Sequence, residues 1–185
     1  NIALQQSMID KQAVVEVRPY ATITTKRIGK EVVDITALKD LCVGFSDDGS
    51  GVQNDEVMLE AMKSIAENDC IMAAHCEDES LLFGGYIHDG EYAAAHNHKG
   101  ICSQSEWGPI VRDMELVAQS GCRYHICHMS AAGSVEALRA AKAKGLPVSG
   151  ETGPHYLTMT DMDIHEEGRF KMNPPIRSAA DRDAL

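Results

Sequence analysis

Short runs of apolar residues alternate along this chain with longer stretches in which apolar positions recur every three or four residues. Each run is too short to be a helix by itself and is bounded by Gly, Asp, Asn or Pro, which is typical of strands. The runs do not alternate cleanly between apolar and polar positions, and this favours a parallel sheet covered on both faces. They occupy residues 13–17, 41–45, 71–74, 124–127 and 146–149.

The stretches between the runs predict helices. Asn54 or Asp55 can cap a helix whose apolar positions are 58, 61, 62 and 65. A second helix is predicted over residues 105–118, before Gly121. Ser134 can cap a third over residues 135–144, with Gly145 just past its end. Because strands and helices alternate, the sequence predicts an α/β protein with right-handed crossovers.

The number of repeating units leaves two architectures open. About five strand–helix units can be counted in the 185 residues, whereas a closed (β/α)₈ barrel needs eight and usually at least about 200 residues. The chain is therefore either a complete open sheet of five strands or an internal section of a longer barrel. The residues at the strand ends favour the second interpretation.

Composition narrows the class of protein. With 17 basic and 28 acidic residues the formal net charge is −11, which argues against binding to nucleic acid or to an anionic membrane surface. No apolar run approaches the roughly 20 residues that span a bilayer, and residues 1–10 lack the pattern of a secretory signal. Six cysteines without a CxxC pair favour buried, reduced thiols. We expect a soluble, acidic, cytoplasmic protein.

Polar side chains follow three successive predicted strands. The run at 41–45 leads into Asp47 and Asp48, the run at 71–74 leads into His75, and the run at 124–127 leads into His128. Parallel α/β folds gather functional side chains at the carboxyl ends of their strands, where the loops surround one mouth. Carboxylate and imidazole together suit a divalent ion such as zinc. The pattern therefore predicts a metal site.

Other polar segments have weaker interpretations. His96 and His98 have the spacing of two ligands on one strand, but their surroundings predict a solvated loop. His125 lies three residues before His128, so on a continuous strand the two would face opposite sides. Residues 151–156 could be a ligand loop or a turn. Residues 171–177, which carry an amide and a guanidinium beside two prolines, could be a pocket wall or a connector.

Five motifs, in this order, resemble the class I bacterial dihydroorotases of the amidohydrolase superfamily. The resemblance covers essentially the whole chain, and the set together is far more specific than any one motif. The motifs are FSDDG at 45–49, AHCED at 74–78, CHMS at 127–130, GPH at 153–155 and KMNPPIR at 171–177.

The resemblance implies a (β/α)₈ TIM barrel of the metal-dependent hydrolase type, present here as roughly strands three to seven. Residues 1–185 would then be a partial catalytic barrel domain without its first and last strands. By the same resemblance, Asp48 bridges two metal ions, His75 and His128 bind the second ion, and Asn173 contacts substrate. One or two zinc ions per complete chain are implied.

The implied reaction is the reversible conversion of (S)-dihydroorotate and water to N-carbamoyl-L-aspartate in pyrimidine (UMP) biosynthesis. The related dihydropyrimidinases, hydantoinases and allantoinases generally carry a carboxylated lysine where Asp48 stands, and this sequence has no lysine between Lys39 and Lys63. A second alternative is a catalytically inactive assembly partner of aspartate transcarbamoylase. A homodimer is also compatible with the resemblance.

Two elements of the family pattern are missing from the chain. The first-strand His-x-His with its substrate-binding arginine is not present, and neither is the last-strand Asp that serves as general acid and base. We expect the first to precede residue 1 and the second to follow Leu185 in a longer protein. The catalytic residue is therefore not assigned, and the chain by itself is expected to be inactive.

Overall fold

A computed structural model describes residues 2–185, which form eight α-helices and five short β-strands. The helices are α1 Ile2–Gln12, α2 Ile35–Leu38, α3 Asp55–Glu67, α4 Glu91–His96, α5 Gln104–Ser120, α6 Ala132–Ala143, α7 Pro154–Thr158 and α8 Ala179–Ala184. The strands are β1 Ile71–Ala74, β2 Ile87–His88, β3 Gly100–Ile101, β4 Arg123–Ile126 and β5 Val148–Gly150. Short 3₁₀ turns lie at Thr25–Arg27, Lys39–Leu41, Glu79–Leu81, Asp161–Asp163 and Gly168–Phe170. None of the helices within residues 2–185 combines the length and apolar character needed to cross a bilayer.

The chain divides into two compact units. Among the described residues, the first contains 2–75 and 116–125, and the second contains 76–115 and 126–185. Helix α5 and strand β4 each run from one unit into the other.

The first unit is built around parallel backbone segments. Phe45 forms parallel bridges with both Ala21 and Met72, so three segments lie side by side. Strand β1 also neighbours β4. Phe45 and Met72 are completely buried, as expected for a sheet covered on both faces. The residues that follow Phe45 and those that follow β1 therefore lie at neighbouring positions along one edge.

Helix α3 covers this arrangement with one apolar face. Asn54 caps it by accepting a hydrogen bond from the backbone N–H of Val57 at 2.9 Å, which satisfies one of the otherwise unpaired donors of the first turn. Its buried residues recur at helical spacing, and they are Met58, Ala61, Met62 and Ile65.

The thiol of Cys122 is expected to be unreactive because of its position in the first unit. Its side chain is completely buried, and burial raises its pKa to about 12. Because the thiolate is the reactive form, only about one molecule in 10⁴ would be ionised at pH 8. We expect iodoacetamide at pH 8 to label Cys122 at least about a hundredfold more slowly in the native intact protein than in urea. Peptide mass spectrometry measures both rates, and equal rates would contradict the expectation.

The second unit contains its own two-stranded parallel sheet. Strand β2 pairs with β3, with Ile87 opposite Gly100 and His88 opposite Ile101. Elsewhere in the unit, β5 follows α6 and is bonded to the end of β4, where Glu151 N–H donates to the Ile126 carbonyl at 3.0 Å. This bond fixes the loops that leave β4 and β5 beside each other.

Helix packing in the second unit depends on one close approach. A Cβ at Gly133, in the first turn of α6, would lie 2.7 Å from Cδ1 of Trp107 in α5, so only glycine fits without displacement. A separate apolar cluster holds Tyr92, Ile164 and Ile176 together, with partly buried residues around it.

The structure confirms the α/β class and corrects several elements. Residues 13–17 form no strand: Val14 and Val15 are 97% and 70% exposed. The run at 41–45 contributes only one bridged residue, Phe45 with its two parallel bridges, and Leu41 ends a 3₁₀ turn instead. Ser134 lies inside α6 and does not cap it. All six cysteines are free thiols, but only Cys76 and Cys122 are buried.

Candidate metal and substrate site

Two neighbouring aspartates, Asp47 and Asp48, occupy opposite environments in the turn after Phe45. The N–H of Ser50 donates to the Asp47 carbonyl at 2.9 Å, and Gly49 has a φ of +79° that disfavours other residues. The Asp47 side chain is 2% exposed, whereas the Asp48 side chain is 69% exposed. The strand-end pattern did not distinguish these two carboxylates, and only the family resemblance selected Asp48.

Asp47 is a structural residue. Its carboxylate accepts hydrogen bonds from the backbone N–H of Ile23 at 2.8 Å and of Thr24 at 3.1 Å. It also accepts from the Thr24 hydroxyl. A buried carboxylate requires such partners, and these partners tie the turn to the neighbouring segment. The carboxylate of Asp47 is therefore committed to holding the turn.

Asp48 and His75 lie together in the first unit. His75 follows β1 directly, and its side chain is 4% exposed. Its Nδ1 is 3.7 Å from Oδ1 of Asp48. Arg27 donates from Nη1 to the Asp48 backbone carbonyl at 2.7 Å, so this hydrogen bond is made to the main chain and not to the carboxylate. The structure thus brings two of the residues predicted to bind metal into adjacent positions.

His128 begins the turn after β4 in the second unit. It is half-buried and has a φ of +38°, an uncommon conformation that non-glycine residues adopt only when their surroundings hold them there. The Met129 N–H donates to the Glu151 carbonyl at 2.8 Å, and the Thr152 hydroxyl donates to the Met129 carbonyl at 2.7 Å. The loop after β5 therefore holds the turn that carries His128.

His125 and His128 would face opposite sides only on a continuous strand. Strand β4 ends at Ile126, so alternation does not extend to His128. His125 is half-buried, and its neighbours Tyr124 and Ile126 are almost completely buried.

The segment at 151–156 is partly a turn and partly a helix. Glu151 is exposed, and helix α7 starts at Pro154. Burial lowers the pKa of His155, and the nearby His128 lowers it further. His155 is therefore an imidazole beside His128 that favours the neutral form. A role for this segment in binding a ligand stays a prediction.

Asn173 lines a cavity of the second unit. Its side chain is exposed, and Nδ2 donates to Oε2 of Glu77 at 3.3 Å. The cavity has a volume of about 360 Å³, within the range of sites for small molecules. Its other lining residues include Tyr86, Ile101, Lys171 and Met172. Asn173 is therefore placed to offer an amide to a small ligand.

The guanidinium of Arg177 does not line this cavity. Its side chain is 2% exposed and pairs with Glu106, with Nη2 3.4 Å from Oε2. Sequence reasoning singled out Arg177 as part of a pocket wall or connector and did not single out Glu106. An acidic residue in the first turns of an amphipathic helix usually faces solvent. Glu106 differs from such residues only in its buried contacts, which the sequence pattern does not reveal.

The histidine pair at 96 and 98 does not lie on a strand. His96 ends α4, so the predicted loop is partly helical, and His98 bonds to Tyr86 and Glu166. The hydrogen bond from His98, with a second from Tyr92, lowers the pKa of Glu166. These contacts occupy both ring nitrogens of His98 in a local network.

The donor atoms of the strand-end residues fit a divalent metal. Asp48 offers a carboxylate and His75 an imidazole at adjacent positions, and His128 offers a second imidazole at the end of β4. Mixed oxygen and nitrogen donors of this kind suit zinc.

Comparison with solved structures defines the class of fold. An L-hydantoinase (dihydropyrimidinase) from Arthrobacter aurescens aligns with all of this chain and 43% of its own, with a TM-score of 0.80 and 24% identity. A dihydroorotase from Saccharomyces cerevisiae, in complex with 5-fluoroorotic acid, aligns with all of this chain and 52% of its own, with a TM-score of 0.71 and 13% identity. The chain has the α/β fold of these amidohydrolase barrels, as a part whose strands form no closed sheet within residues 2–185.

Sequence comparison then gives the family. The family described as "Dihydro-orotase-like" matches residues 1–134, and the chain belongs to it. A dihydroorotase from Shouchella clausii is 46% identical over 184 residues, which is 98% of this chain and 43% of the relative. The chain thus spans less than half the length of the curated relative.

Proposed function

We propose that the intact protein, meaning the complete product of the gene that encodes this chain, hydrolyses the cyclic amide of (S)-dihydroorotate reversibly to N-carbamoyl-L-aspartate. The observation that carries the proposal is the contact between Asp48 and His75 after neighbouring parallel segments. That is the position at which the family resemblance requires a carboxylate and an imidazole. The complete fold would be a (β/α)₈ barrel, of which this chain forms roughly strands three to seven.

Asp48, His75 and His128 would hold one or two zinc ions. Bound zinc lowers the pKa of a coordinated water towards about 7 and polarises a carbonyl group as a Lewis acid. Asp48 supports this role because its carboxylate is exposed while Asp47 supplies the structural contacts. His75 supports it because its ring is held at the end of a buried strand. The hydrogen bonds at Met129 and Thr152 support the turn that carries His128, which would be the third ligand.

Asn173 would bind and orient the substrate. Its amide can donate to a carbonyl or carboxylate oxygen and accept from a ring N–H. Asn173 already donates a hydrogen bond to Glu77 at the wall of this cavity. Lys171, which also lines the cavity, would favour an acidic substrate over a neutral one.

The test is an assay of the zinc-loaded intact protein on dihydroorotate, dihydrouracil and hydantoin in parallel. We expect turnover of dihydroorotate alone, because an aspartate stands where the related enzymes generally carry a carboxylated lysine. Turnover of dihydrouracil or hydantoin would contradict the substrate assignment. Zinc binding without turnover of any of the three would favour an inactive partner of aspartate transcarbamoylase, and the mass of the purified assembly would then identify that complex or a homodimer.

A further inference from the structure

The carboxylate of Glu106 is the centre of a buried network in the second unit. Glu106 is 4% exposed. It accepts hydrogen bonds from the backbone N–H groups of Ser130 at 2.8 Å and Ala131 at 3.0 Å. It also accepts from the hydroxyls of Ser134, at 2.6 Å, and Ser130. One side chain on α5 thus fixes the backbone two and three residues after His128.

Arg177 connects the same network to the loop that carries Asn173. It is 3% exposed. Its Nε donates to the Ser130 hydroxyl at 2.8 Å, and Nη1 donates to the Ile101 carbonyl at 3.3 Å. Nη2 lies 3.4 Å from Oε2 of Glu106. The guanidinium therefore joins the loop of residues 171–177 to the turn after His128 through Ser130.

A second buried carboxylate, Asp113, lies on the same helix. Asp113 lies two turns further along α5, is 1% exposed and pairs with its sequence neighbour Arg112 at 2.8 Å. That ion pair joins two sequence neighbours. Glu106 and Arg177 instead connect residues that are 24 and 71 positions apart in the chain. Breaking a buried charge pair leaves the remaining charge uncompensated, so both pairs are expected to affect stability.

We propose that Glu106 and Arg177 are positioning residues for the candidate site. They hold the His128 turn and the Asn173 loop in one fixed arrangement, so that the imidazole can bind metal while the amide contacts substrate. The inference rests on the proposed function. It adds two residues that do not touch metal or substrate themselves and act through Ser130 and the loop backbone.

The test compares Glu106→Gln and Arg177→Lys with Asp113→Asn in the intact protein. Glutamine keeps the shape of Glu106 but replaces one acceptor oxygen with a donor, so the hydrogen bonds from the turn cannot all persist. We expect Glu106→Gln to weaken zinc affinity by about 10–100-fold, the range found for residues that orient metal ligands. Arg177→Lys, which loses the forked guanidinium, should raise KM for dihydroorotate about tenfold with a smaller change in kcat.

Asp113→Asn is the matched control. It should lower the unfolding temperature but leave zinc affinity and KM within about twofold of the unmodified protein. Zinc affinity is measured by competition with a chelator on metal-free protein, which requires no substrate. Unchanged zinc affinity and KM in Glu106→Gln and Arg177→Lys, at a lowered unfolding temperature, would overturn the proposal.

A second variant covers the case in which Glu106→Gln fails to fold. Glu106→Asp keeps the charge but shortens the side chain by one methylene, and reduced zinc affinity at a nearly unchanged unfolding temperature supports the positioning role. Unchanged affinity in that variant overturns it. If the unmodified protein turns over none of the three substrates, the proposed function fails, and the zinc titrations still decide this inference.

Discussion

Replacing His128 with alanine in the intact protein is expected to remove most of the metal bound at the site. Substitution of residues that merely orient a metal ligand costs about 10–100-fold in affinity or activity. The loss of a ligand itself is therefore expected to lower kcat/KM for dihydroorotate by more than about 100-fold. The metal content, measured by atomic emission on dialysed protein, should fall together with activity.

The control for this variant is His96→Ala. His96 is exposed at the end of α4 and belongs to the histidine pair that resembles a ligand motif by spacing alone. Its removal should leave zinc content and kcat/KM unchanged within error. If His128→Ala retains the zinc stoichiometry of the unmodified protein, the assignment of His128 as a ligand is wrong. If His96→Ala loses zinc, His96 and His98 are metal ligands, and their interpretation as a solvated loop is wrong.

Sequence patterns predicted the helices better than they predicted the strands. Helix α3 and its cap at Asn54 follow from spacing and side-chain chemistry within a few residues, which are local properties. The run at 13–17 has equally strong apolar character, yet Val14 and Val15 are exposed within this chain. Strand formation depends on partners distant in sequence, and an apolar run does not identify its partner. The two-residue strands β2 and β3 were too short to give any periodic signal.

Within the site, residue type was predictable and environment was not. A strand followed by histidine marks a candidate ligand, and His75 lies beside Asp48 as that reasoning requires. Arg177 was predicted to lie in a pocket wall or a connector, but it is buried in a pair with Glu106. The difference comes from a residue 71 positions away, which no local pattern contains. Burial of a polar side chain is the property that sequence reasoning could least anticipate here.

Substitutions at the adjacent residues Asp47 and Asp48 should distinguish a residue needed for the fold from a residue needed for metal binding. Asp48→Asn in the intact protein should abolish most zinc binding and lower kcat/KM by more than about 100-fold, because an amide is a poor metal ligand beside His75. Its side chain is 69% exposed, so the free energy of unfolding of the metal-free protein should change by no more than about 0.5 kcal/mol.

The same substitution at Asp47 should lower the stability of the protein and leave zinc binding largely intact. In the unmodified protein, the backbone N–H groups of Ile23 and Thr24 donate to the buried carboxylate of Asp47. Asp47→Asn places an amide donor against these N–H groups. Because hydrogen bonds to charged groups contribute about 1.5–3 kcal/mol each, the metal-free variant should lose at least about 2 kcal/mol of unfolding free energy in urea. Zinc bound per folded molecule should be largely retained. Equal loss of stability in both variants would contradict the division, because it requires Asp48 to contribute to metal binding and Asp47 to the fold that presents it.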